Sequence, residues 1–74
     1  MSDPAALIAE EERMMGQECR LLGHAVLDAG KRVELLVYET GPREDSRWQA
    51  IQTRWAVFVD GKPASSCIVE TRSA

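Results

Sequence analysis

GQECRLLGHAVLDAGKR, residues 16–32, can be read in two ways, and the choice sets the architecture of the whole chain. In the first reading it continues a helix that starts upstream. Asp3-Pro4 is a strong helix start, with Asp3 as an N-cap acceptor and Pro4 at the first helical position. Apolar residues then recur as Leu7/Ile8, Met14/Met15, Leu21/Leu22 and Ala25/Val26. A polar stripe of Glu10, Arg13, Gln17, Arg20, His24 and Asp28 keeps phase through the same span. Steps of three and four are helical spacing. This reading predicts one helix over about 4–29, ended at Gly30 in a left-handed cap.

In the second reading the helix stops near Gly16. Leu21–Leu27 becomes a strand, and Leu27-Asp28-Ala29-Gly30-Lys31 becomes a tight hairpin. Gly16 and Gly23 motivate it, since each costs about 1 kcal/mol relative to alanine inside a helix. The long helix is preferred because the polar stripe crosses both glycines without a break, with a kink at Gly16 or Gly23 as a compromise.

Downstream the period changes to two. Val33, Leu35 and Val37 alternate with Glu34, Leu36 and Tyr38, which predicts a strand over about 32–39. TGPREDS, residues 40–46, is a loop. A second strand spans about 47–59, Asp60-Gly61 is a two-residue hairpin turn, and a third strand covers about 65–71. Pro63 at its start suits a sheet edge. The fold class is therefore α+β in one domain, 1–74: an N-terminal helix packed on one face of a three-stranded antiparallel β-meander. The alternative is a shorter helix followed by a four-stranded meander.

Side chains alternate along a strand, so Trp48 and Trp55, seven apart, fall on opposite faces of a regular pleat. Trp55 keeps company with Ile51, Thr53, Val57 and Val59, the more apolar set. The expected core is thus Val33, Leu35, Val37, Ile51, Trp55, Val57, Val59 and residues from 67–69, against Ile8, Met15, Leu22 and Val26. A β-bulge between the two tryptophans would instead bury both. The opposite face, with Leu36, Tyr38, Trp48, Ala56 and Phe58, is too apolar to stand in water, and contiguous apolar patches mark interaction surfaces. Trp, Tyr and Arg are the residues most enriched at binding hot spots. Leu36, Tyr38, Arg47, Trp48, Arg54 and Phe58 are accordingly the expected partner-binding residues, with Arg43 beside them.

Composition narrows the function classes. The chain has 45% hydrophobic and 28% charged residues, as ordinary globular proteins do. Its net charge of −3 is uneven. Residues 1–18 carry Asp3, Glu10, Glu11, Glu12 and Glu18 against Arg13 alone; Glu10, Glu11, Glu12 and Glu18 form a candidate acidic patch. An acidic balance opposes a phosphate-backbone binder, which needs a basic face. No apolar run approaches the ~18 residues that span a membrane, and the N-terminus lacks the pattern of a secretory signal, so a cytoplasmic setting is expected. Cys19 and Cys67 form no CxxC and are expected to be two buried thiols acting as small hydrophobes.

Catalytic signatures are absent from the sequence. His24, the single histidine, sits on the polar stripe, and with two distant cysteines it makes a poor zinc site. Cys19 and His24 are poorly spaced for a nucleophile–base pair. GQECRLLG lacks the ending of a phosphate loop, and no GxSxG occurs. Glu44-Asp45 lies in a loop. No cofactor or metal is expected. The sequence points to a small non-enzymatic protein–protein interaction module, self-associating into a homodimer through an apolar sheet face. Single-stranded nucleic acid bound by an Arg/Trp cluster is one alternative. Another is an acidic inhibitor of a nucleic-acid-handling complex encoded by a mobile element.

Overall fold

A computed structural model describes residues 3–41 and 50–73. Asp3 accepts a hydrogen bond from the Ala5 amide (3.0 Å) and opens a helix, α1, over Pro4–Met15. The helix ends at Gly16, which is left-handed (φ 67°) and donates its amide to the Glu12 carbonyl at 2.8 Å. A left-handed cap suits glycine because there is no Cβ to clash. Four strands follow: β1 (Cys19–Asp28), β2 (Val33–Thr40), β3 (Ala50–Val59) and β4 (Lys62–Ser73). They form one antiparallel sheet in the order β1-β2-β3-β4, so β1 and β4 are its edges.

The long helix over 4–29 is therefore corrected. Its second half is strand β1, and the shorter helix with a four-stranded meander is the fold. Two β-bulges explain the misleading period. Register with β2 shifts between Leu21 and Gly23 and again between Val26 and Asp28, leaving Leu22 and Leu27 as the extra residues. Each bulge lets residues three apart share a face, as Leu21 and His24 do opposite Tyr38 and Leu36. A bulged strand thus imitates helical steps. Pairing also supplies the outer edge of β2 with a ladder partner, which a helix cannot do.

The β1–β2 turn does not use Gly30 as its left-handed residue; Arg32 takes that conformation (φ 57°). Asp28 Oδ1 accepts from the Lys31 amide (3.1 Å) and steadies the turn. Asp60 (φ 54°) and Gly61 (φ 78°) are both left-handed, the geometry of the hairpin turn whose twist matches its strands. Arg32 receives the Asp60 amide on its carbonyl (2.9 Å) and pairs with the Asp60 carboxylate (2.6 Å), tying the two turns together. β4 is longer than expected, 62–73, and Pro63 lies at its start on the sheet edge. Residues 47–49 of the expected second strand lie outside the described residues.

The helix lies on the face formed by even-numbered residues of β2 and β3. Leu7 and Ile8 pack with Leu36, Tyr38, Ala56 and Phe58, and those four sheet residues are 0% exposed. Met15 and Cys19 flank the cluster. This reverses the expected faces. Leu36, Tyr38 and Phe58 are interior rather than a partner surface, whereas Trp55 is only half-buried and lies on the other side. Ile8 and Met15 do turn toward the sheet, but Leu22 and Val26 are exposed. No helix among the described residues is long and apolar enough to cross a membrane.

Candidate functional site

A polar contact joins the helix to the even face. Glu11 lies four residues after Leu7 and four before Met15, so it falls inside the buried stripe of the helix. It is 3% exposed and needs a donor. Tyr38 supplies one, its hydroxyl donating to Glu11 Oε2 at 2.8 Å. Arg54 Nε in turn donates to the Tyr38 oxygen at 3.3 Å, and Arg54 Nη1 donates to Gln52 Oε1 at 3.2 Å. The other carboxylate oxygen, Glu11 Oε1, has no hydrogen-bond partner. The even face offers this hydroxyl and guanidinium side by side beneath the helix.

This arrangement separates the three helix acids. Glu11 holds Tyr38, Glu12 accepts the Cys19 amide at 2.9 Å, and Glu10 pairs with Arg13. Glu18 is exposed beyond the helix end. The candidate acidic patch is therefore not one continuous surface. Farther along the same face, His24 Nε2 lies 2.9 Å from Glu34 Oε1, with both side chains largely buried, so His24 is not the solvated residue expected.

Burial, reinforced by the hydrogen bond to Glu11, pushes the Tyr38 hydroxyl up to about 12. Tyr38 is the only tyrosine, so its ionisation can be followed directly. The unfolded chain releases this proton near pH 10, about two units before the folded one. Between those values the unfolded state binds fewer protons, so stability falls as pH rises. Tyrosinate absorbance of the folded protein is expected to appear with a midpoint near 12; a midpoint near 10 would contradict the buried Tyr38–Glu11 contact. Cys19 is pushed up to about 11 by burial and by the Glu12 and Glu11 carboxylates. At neutral pH it is a protonated thiol and a weak nucleophile. Cys19 and Cys67 are both free; Cys19 is half-buried, but Cys67 is exposed rather than buried as expected, because it lies on the edge strand β4. Among the described residues no three His, Cys, Asp or Glu side chains gather as metal ligands.

The other face of the sheet has no helix on it, and no other described element packs there. Strand registry lays it out in rows from β1 to β4: Arg20–Glu39–Thr53–Glu70, then Gly23–Val37–Trp55–Cys67, then Ala25–Leu35–Val57–Ser65, then Asp28–Val33–Val59–Lys62. The two middle strands give an apolar band of Val33, Leu35, Val37, Trp55, Val57 and Val59, half-buried or exposed, with Ile51 at one end. A charged group closes that end. Glu39 accepts from Arg20 on one edge strand and from Arg72 on the other, the latter at 2.7 Å. The two arginines remain mostly in solvent while covering the carboxylate.

Of the partner-binding residues expected from sequence, Leu36, Tyr38 and Phe58 are sealed in the core. Arg54 is engaged by Tyr38 and Gln52 under the helix side. Arg47 and Trp48, and with them Arg43, lie outside the described residues. The residues that sequence reasoning missed as a surface are Leu35, Val37, Trp55 and Val57, which it assigned to the core. A signal was available: β2 and β3 are apolar at successive positions, the pattern of a sheet with both faces buried. Comparison with protein-family models, with characterised proteins and with solved structures finds no match.

Proposed function

We propose that this chain is a protein-binding module that works through the uncovered face of its sheet. One observation carries the reading: a sheet apolar on both sides has a helix on only one. Burying a side chain such as Leu35 or Val57 is worth roughly 1.5–3 kcal/mol, so a row of them left in water favours a partner. Trp55 in the middle of the band is the kind of residue that anchors an interface. The raised thiol of Cys19 and the engagement of His24 by Glu34 support a binding role over a catalytic one. Nucleic acid draws less support, because Arg54 is already bonded under the helix and the open band is aliphatic. An acidic-inhibitor role is weakened by the separation of Glu10, Glu11 and Glu12 into three contacts.

Leu35→Glu places a charge in the band, and Ala9→Glu places one on an exposed position of the helix. Immobilised wild-type protein and Ala9→Glu are expected to retain the same protein, the chain itself included, and Leu35→Glu to lose it while its circular dichroism is unchanged. Equal retention by a folded Leu35→Glu would overturn the reading.

A further inference from the structure

We infer that the occupant of the uncovered face is a second copy of this chain, packed sheet to sheet about a two-fold axis parallel to the strands. This rests on the reading of that face as a protein-binding surface, and three observations carry it further. The first is charge. The chain is −3 overall, yet the open face carries Arg20, Arg72 and Lys62 against Glu39, Glu70 and Asp28, and so is neutral. The acidic excess sits with the helix on the opposite side. Face-to-face packing brings the neutral surfaces together at about 10 Å. With each helix roughly another 10 Å outside its sheet, the acidic surfaces stay several ~8 Å screening lengths apart.

The second observation is self-complementarity. A two-fold axis along the strands, between β2 and β3, sets β1 over the partner's β4 and β2 over the partner's β3. Each row of the face then meets its own reverse. Arg20 faces the partner's Glu70, and Asp28 faces the partner's Lys62, so both charged corners find opposite charge. Val37 faces the partner's Trp55, and Leu35 the partner's Val57. Gly23 faces the partner's Cys67, and a Cβ at Gly23 would have nothing within 4 Å, which leaves room for the incoming side chain. Aligned sheets cross at about 30°, so the rows meet best near the axis, where the apolar band lies.

The third is size. The molecule measures 43 × 20 × 16 Å, so its broad side is on the scale of the surface a standard interface needs. That requirement is about 800 Å² from each partner. A chain this short also gains from association, because its own core buries a smaller share of its surface than a larger domain's does.

Sedimentation or light scattering is expected to give a mass twice the 8.2 kDa chain at micromolar concentration, and Leu35→Glu to raise the dissociation constant at least a hundredfold. Gly23→Cys in a Cys19→Ser background is expected to be joined to the native Cys67 of the partner by a short bis-maleimide, which spans the ~10 Å between facing sheets where a direct disulfide does not reach, and to run as a covalent dimer, and adding Cys67→Ser is expected to abolish it. A single-chain mass at high micromolar concentration overturns the second copy; if Leu35→Glu still loses a retained protein that wild type holds, the binding reading stands with another partner, and if it does not, both fall. A dimer insensitive to Leu35→Glu overturns this face as the interface. A dimer that Leu35→Glu disrupts but Gly23→Cys does not cross-link overturns the axis proposed here.

Discussion

Truncating Phe58 to alanine is expected to destabilise the chain by about 3–5 kcal/mol, the usual cost of a large cavity in a packed interior. Phe58 is fully buried beside Leu36, Tyr38 and Ala56. A chain of 74 residues has on the order of 4–11 kcal/mol of stability in total, so this one change removes a large share of it. Trp55→Ala deletes a bigger side chain but one that is half-exposed. Its cost in dilute monomer is expected to be the smaller of the two. At higher concentration the Trp55 variant loses more, because a partner that binds only the folded form adds stability by mass action. Urea midpoints at two protein concentrations separate these contributions. A dilute-solution loss larger for Trp55→Ala than for Phe58→Ala would place the core on the wrong side of the sheet.

The second large effect is expected from a single oxygen. Tyr38→Phe keeps the ring and removes the hydroxyl that bonds Glu11 Oε2. Glu11 then has no donor for either oxygen, since Oε1 has none in the folded chain, and Arg54 Nε loses its acceptor. A buried acceptor left without its donor costs about 1–3 kcal/mol, more than the net worth of an average hydrogen bond. The double variant Tyr38→Phe/Glu11→Leu replaces both polar partners by apolar groups of similar size and is expected to recover most of that loss. A double-mutant cycle on thermal or urea unfolding measures the coupling directly. Strict additivity of the two changes would show that Glu11 and Tyr38 do not depend on each other. The same contact explains the alkaline prediction for Tyr38: the group that satisfies Glu11 is the one held protonated by it.

Local chemistry is legible in the residues to different depths. Asp3-Pro4 announces the helix start and Asp60-Gly61 the hairpin, because each depends on neighbours in sequence alone. The alternation of β2 is equally plain. The strand character of 19–28 was available only as the weaker of two readings. Its bulges at Leu22 and Leu27 turn a period of two into steps of three, and local spacing cannot distinguish a bulged strand from a helix. Gly16 and Gly23 pointed toward the correct answer through their cost in a helix. Glu11 reads from sequence as part of a solvated acidic patch, whereas the structure buries it, and a buried acid implies a buried donor. That link ties the helix to the face of Tyr38 and Arg54.

The amino-acid sequence by itself determined where α1 starts, the strands from β2 onward with their order, and the division of β2 and β3 residues into two apolar faces, since all three follow from capping and turn chemistry and the two-residue pleat. It did not determine which face would be inside. Pleat parity separates Leu36 and Phe58 from Leu35 and Val57 but treats the two sets alike. Only the tertiary structure broke that equivalence: α1 crosses the even face, where the Tyr38 hydroxyl donates to Glu11, and leaves Trp55 with its aliphatic neighbours on the uncovered side.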